Sequence, residues 1–128
     1  MAFQVTALYA SILAIAAIVL SIIVSSKRGK AGVAILHGED LNLALWIRKH
    51  ANFVENVPFA LLLMVLAEAR GMPVTWLHAV GIVLLAARAV HVIGLNLENP
   101  ASPLRIAGSA GTHLSMLGAI AFLLWSLI

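Results

Sequence analysis

Four long apolar runs separated by short polar stretches set the pattern of this chain. The first, Val5 to Val24, is twenty residues without a charge. The others cover about 41–67, 73–97 and 104–128. A helix needs roughly 20 apolar residues to cross a hydrocarbon core about 30 Å thick. Each run is therefore read as a membrane span, with spans at 5–24, 41–67, 73–97 and 104–128. The acidic pair Glu39 and Asp40 suits a helix start before the second span, and Pro73 is tolerated in the first turn of the third. Short connections make neighbouring helices pack side by side. The expected fold is all-α: an integral membrane antiparallel four-helix bundle forming a single domain, residues 1–128.

Composition agrees with this and removes competitors. Of 128 residues, 62% are hydrophobic and 10% charged, which leaves no room for a separate soluble domain. The net charge of +3 rests on eight Lys and Arg, several of them inside the apolar runs, so it is read as topology and site chemistry, and nucleic acid is not expected as a partner. Lys27, Arg28 and Lys30 follow the first span, Arg70 stands alone in the second connection, and Arg105 opens the fourth span. The positive-inside rule then puts the first and third connections in the cytoplasm and both chain ends outside, across an inner membrane in a bacterial cell. The segment MAFQVTALYA lacks the basic residues of a signal peptide, so the first span is read as retained. Cysteine is absent, and any thiol chemistry must arrive with a substrate.

The stretch IRKHANFVENVPF, residues 47–59, breaks the apolar pattern where a membrane helix begins. At about 100° per residue, Asn52 lies about 40° from Arg48, Glu55 about 20° to the other side, Asn56 about 80° and Lys49 about 100° away. These residues form one stripe, and His50 faces the far side. Arg48 and Lys49 can reach water by snorkelling. Glu55, two turns deeper, is expected in a buried polar site, the plainer reading being an ion pair with Arg48 or Arg88.

Arg88 and His91 lie three apart in the third span, after sixteen residues without Lys, Arg, Asp or Glu. Glu55 is the natural partner for Arg88. In the fourth span Arg105, Ser109 and Thr112 share a face. Polar stripes on three spans thus converge toward one end, and an anionic ligand with several hydrogen-bonding groups, held from the cytoplasmic side, would satisfy them.

The spacing R-x-x-x-N-x-x-E-x-x-P near the start of a second membrane helix, here Arg48, Asn52, Glu55 and Pro58, resembles the MAPEG family, the membrane-associated proteins in eicosanoid and glutathione metabolism. Arg88 with His91, and Arg105 at the head of the fourth span, extend the likeness over nearly the whole chain, and prokaryotic-like members are the closer match. The resemblance implies a homotrimer that binds glutathione between subunits near the cytosolic face. It assigns Arg48, Asn52 and Glu55 to glutathione's charged and amide groups. Asn56 stands where some members use an aromatic hydroxyl, Arg88 and His91 contribute from a neighbouring part of the site, and Lys27 or Arg28 reaches a carboxylate. Arg105 would stabilise the thiolate; lowering a thiol pKa from near 8.5 by about two units takes roughly 2.7 kcal/mol of preferential interaction with the anion. The implied activity is a glutathione-dependent transferase or peroxidase, with glutathione as co-substrate, no metal, and lipophilic electrophiles or hydroperoxides delivered by membrane lipid. One departure is Leu95, where many members carry a tyrosine.

Three other readings use the same residues. A family-like scaffold would bind glutathione or lipid without turnover. A small proton-coupled exporter would need a buried glutamate in its first span, and Val5 to Val24 has none. A di-haem cytochrome could use His91 and His113 for one axial pair but has no second.

Overall fold

A computed structural model describes residues 3–128. It consists of four helices: α1 (Gln4–Ala31), α2 (Leu41–Ala69), α3 (Val74–Gly94) and α4 (Pro103–Trp125). All four are long and apolar enough to cross a membrane, and no strand occurs among the described residues.

The ends of the helices follow local chemistry. α1 runs seven residues past Val24, because its basic residues suit the negative end of the helix dipole. It stops where Gly32 adopts φ 67°, letting the Val33 N–H reach the Arg28 carbonyl at 3.2 Å. Asp40 caps α2 by accepting from the Leu43 N–H at 3.0 Å. α3 ends at Gly94, before the 97 expected from hydrophobicity alone. The Gly94 carbonyl is taken by the Asn96 side-chain amide at 3.0 Å and by the Ser102 hydroxyl. Ser102 also accepts from the Arg105 N–H at 3.2 Å, so one hydroxyl closes α3 and opens α4.

The core is apolar, with Leu13 and Leu20 from α1, Phe53, Val57 and Met64 from α2, Leu77 and Leu84 from α3, and Ala119 from α4. The outward faces carry Ile15, Ile18, Ile22, Phe59, Ile82 and Leu117, all exposed, as expected where the solvent is lipid. The tightest pairing is α3 with α4. There a β-carbon on Gly108 would fall 2.5 Å from the His91 nitrogen, and one on Gly94 would fall 2.3 Å from the Arg105 nitrogen. Small residues are what let these two backbones meet.

At the end where α1 begins, α2 clamps two neighbours. Both Glu68 carboxylate oxygens accept from α1, from the Val5 N–H at 3.1 Å and the Thr6 N–H at 2.9 Å. Arg70 donates to the Ser126 hydroxyl at 3.2 Å and to its carbonyl, just past the end of α4. The acid meets the positive end of one helix dipole and the base the negative end of another. Nearby, the Tyr9 hydroxyl meets His78 Nδ1 at 3.0 Å, and the Tyr9 ring occupies the space that a side chain on Gly81 would need.

Candidate functional site

The polar cluster lies toward the opposite end and begins with α2. Arg48 and Glu55, seven residues apart and so on one face of the helix, form an ion pair at 3.3 Å. Their side chains are 58% and 52% exposed. Asn52 stands between them in sequence and turns toward α3, where its side-chain oxygen accepts from Arg88 Nη1 at 3.1 Å and its carbonyl lies 3.5 Å from the same nitrogen. Asn56 donates to that same Asn52 carbonyl at 2.8 Å.

Of the two ion pairs expected for Glu55, the one with Arg48 forms and the one with Arg88 does not; Arg88 pairs with Asn52 instead. The reason is angular. The buried residues Leu43, Lys49, Phe53 and Val57 define the inward side of α2, and Glu55 points away from it. A carboxylate on that outward arc is turned from α3.

Arg88 is only 2% exposed, and its Nε has no hydrogen-bond partner among the described residues. A guanidinium carries five N–H donors in a fixed fork. Two oxygens of one asparagine leave most of that capacity unused. The side chain also lines an apolar groove of 330 Å³, together with Leu13, Leu20, Phe53, Leu85 and Val92. His91, one turn on, is likewise 2% exposed and backs onto Gly108. No acidic residue is among the buried polar side chains of the described residues, so this part of the interior is cationic and lacks a counter-charge.

The remaining expected residues lie toward the same end but are engaged elsewhere. Lys27 Nζ donates to Asn42 Oδ1 at 2.5 Å, and Arg28 Nη1 donates to the Ala34 carbonyl at 2.8 Å, fastening the α1–α2 connection. Arg105 donates to the Pro100 carbonyl in the connection before α4. Thr112 bonds within α4, to the Gly108 carbonyl at 2.8 Å. Leu95 is buried and apolar. His91 is buried and His113 exposed, and no group of three or more potential metal ligands occurs among the described residues.

Lys49 and Trp46, at this end, are not among the expected site residues. Lys49 is 9% exposed, with its ammonium 4.7 Å from the centre of the Trp46 ring, and Lys27 approaches the same ring at 5.7 Å. The wheel position of Lys49 at the inner edge of the polar stripe was the available signal, but snorkelling was the simpler account of a lysine so near a helix end.

Four apolar helices that enclose a buried, uncompensated arginine beside an asparagine–glutamate stripe define a multi-pass all-helical membrane protein with a polar site at one end. The chain belongs to the MAPEG family, whose model matches residues 6–125. It is similar to the inner membrane protein YecN of Escherichia coli (strain K12), 38% identical over 93 residues that cover 73% of this chain and 71% of that protein. The YecN protein of Escherichia coli O6:H1 matches with the same identity and coverage. No solved structure matches this chain.

Proposed function

We propose that this protein is a membrane-embedded glutathione-dependent transferase or peroxidase acting on lipophilic electrophiles or hydroperoxides. The observation that carries the reading is Arg88: a guanidinium buried in a spanning helix, satisfied among the described residues only by Asn52 and left there with an unpartnered Nε. Burying such a charge is costly unless an anion or further acceptors complete it. Glutathione offers two carboxylates, two amides and a thiol, and the family sequence pattern of Arg48, Asn52 and Glu55 lies on the adjoining face of α2.

In this reading the protomers are antiparallel four-helix bundles assembled as a homotrimer, and the membrane is a bacterial inner membrane, as for the YecN relatives. The termini lie outside and the site opens to the cytoplasm, in keeping with the basic residues of the α1–α2 connection. Arg48, Asn52, Glu55, Asn56, Arg88 and His91 bind the tripeptide, with Lys27 or Arg28 on a carboxylate. Arg105 holds the thiolate after leaving the Pro100 carbonyl. The thiolate attacks an electrophilic carbon and expels the leaving group as an anion. With a hydroperoxide, two glutathiones become the disulfide while the peroxide becomes an alcohol and water. The apolar groove beside Arg88 is a path by which a lipid-borne substrate reaches the reactive end.

A second reading, a glutathione-binding scaffold without turnover, is favoured by Leu95 in place of a hydroxyl and by the engagement of Arg105 with Pro100. Binding of glutathione by the wild type, Glu55→Gln and Arg105→Ala tests the site. Glu55→Gln is expected to weaken binding, and Arg105→Ala to abolish the ultraviolet absorbance of the bound thiolate while sparing most affinity. Unchanged binding and unchanged thiolate signal in both variants would overturn the assignment. Conjugation of an aryl halide separates enzyme from scaffold.

A further inference from the structure

Lys49 is the one charged residue on the inward stripe of α2, in line with Leu43, Phe53, Val57, Ala60, Met64 and Ala67. Its ammonium is a compact charge that water hydrates strongly, and here water is largely excluded, since the residue is 9% exposed. Trp46 supplies a π face at 4.7 Å, which replaces only part of the lost hydration. Lys27, whose ammonium also donates to the neutral Asn42 side chain at 2.5 Å, arrives at the same ring from α1, at 5.7 Å. Two cations are thus drawn to one indole. Neither has a carboxylate in ion-pair range, because Arg48–Glu55 is the sole ion pair among the described residues. An anion beside the ring would turn a repulsive arrangement into an attractive one.

The register of α2 places this anion position next to the polar cluster. Lys49 precedes Asn52 by three residues and Asn56 by seven, which puts the three side chains on neighbouring parts of one face. We propose that Lys49, with Lys27 at the shared Trp46 ring, forms a carboxylate-binding subsite that receives one carboxylate of the tripeptide thiol. The proposal rests on the glutathione reading above and adds a residue that the family sequence pattern does not include.

The test uses the full chain in detergent and follows tryptophan fluorescence during titration with glutathione. Trp76, at the start of α3, and Trp125, at the end of α4, lie at the far end of the molecule, so Trp46→Phe should remove the ligand-induced change. Two analogues each lack one carboxylate: the glycyl ethyl ester of glutathione, and 4-aminobutyryl-cysteinyl-glycine. Lys49→Met is expected to weaken glutathione binding by about tenfold to a hundredfold, the usual range for a hydrogen bond to a charged group. The same substitution should bring no further loss with the analogue whose missing carboxylate is the one Lys49 holds. Wild type alone gives a second readout, since one analogue should bind that much more weakly than the parent. Additive losses for Lys49→Met with both analogues, or a fluorescence change that survives Trp46→Phe, would overturn the subsite while leaving glutathione binding intact. A wild type that binds no glutathione would instead overturn the functional reading on which the subsite rests.

Discussion

The contact between α3 and α4 can be probed one methyl group at a time. A β-carbon at Gly108 would lie 2.5 Å from the His91 nitrogen and 2.6 Å from its α- and β-carbons. Carbon contacts are comfortable at about 3.5–4.0 Å, so relief requires roughly 1 Å of movement. The atoms in the way are mostly backbone, and a rotamer change cannot clear them. Gly108→Ala should therefore push α4 off α3, at a cost of about 2–3 kcal/mol, the upper part of the range for overpacking. At Gly111 the nearest atom is the Ala87 β-carbon at 2.9 Å, a smaller obstruction, and about 1 kcal/mol is expected. At Gly118 the nearest is Val80 Cγ2 at 3.5 Å, an ordinary contact, and the gain in helix propensity should leave stability unchanged or raised by up to about 1 kcal/mol. The assay is reversible unfolding of the three alanine variants in mixed micelles, followed by helical circular dichroism. The predicted order of destabilisation is Gly108→Ala, then Gly111→Ala, then Gly118→Ala. Equal stability of the Gly108 and Gly118 variants would show that the two helices do not meet as closely as described.

Other predictions follow from single contacts. Asn52→Ala leaves Arg88 Nη1 with only the Asn52 carbonyl at 3.5 Å and should cost about 1–3 kcal/mol in the same unfolding assay, with Asn52→Asp retaining stability by keeping an acceptor. An Asn52→Ala protein as stable as wild type would mean that Arg88 finds its acceptor elsewhere. Glu68→Ala removes the acceptor for two α1 amides, so amide hydrogen exchange at Val5 and Thr6 should accelerate about tenfold. Exchange unchanged there would show that the clamp is dispensable. Gly81→Ala should destabilise wild type markedly but a Tyr9→Ala background much less, because the obstructing atoms at 2.4 Å belong to the Tyr9 ring; strict additivity of the two changes would refute this.

The four helices were legible in the sequence because runs such as Val5 to Val24 have no stable alternative to a spanning helix once water is absent. Their ends were less so. Hydrophobicity marks where lipid stops, whereas α1 continues through SSKRGKA to Ala31 and α3 stops at Gly94, each decided by hydrogen bonds local to the end. The clamp by Glu68 was hidden for a different reason: its partners are backbone amides more than sixty residues away, and no side-chain pattern records them.

The partners within the candidate site show where a helical wheel stops being sufficient. It gives the angles among residues of α2 but not the direction of the bundle axis. That direction is fixed by the buried pair Phe53 and Val57, about 140° and 180° from Arg48. Asn52, at about 40°, is near enough to this side to reach α3, while Glu55, about 20° to the other side of Arg48, is not. The sequence pattern that resembles the family's therefore divides within one protomer. Asn52 and Arg88 face inward, and Arg48 and Glu55 face out, exposed over about half their side-chain surface. A ligand that touched both halves would have to lie across the outer boundary of the bundle, and the exposed half would need a second surface to exclude water from its charges. That requirement accords with the proposed binding of glutathione between subunits, and it makes the ion pair of Arg48 with Glu55 the contact most open to rearrangement when a ligand and a neighbouring copy arrive.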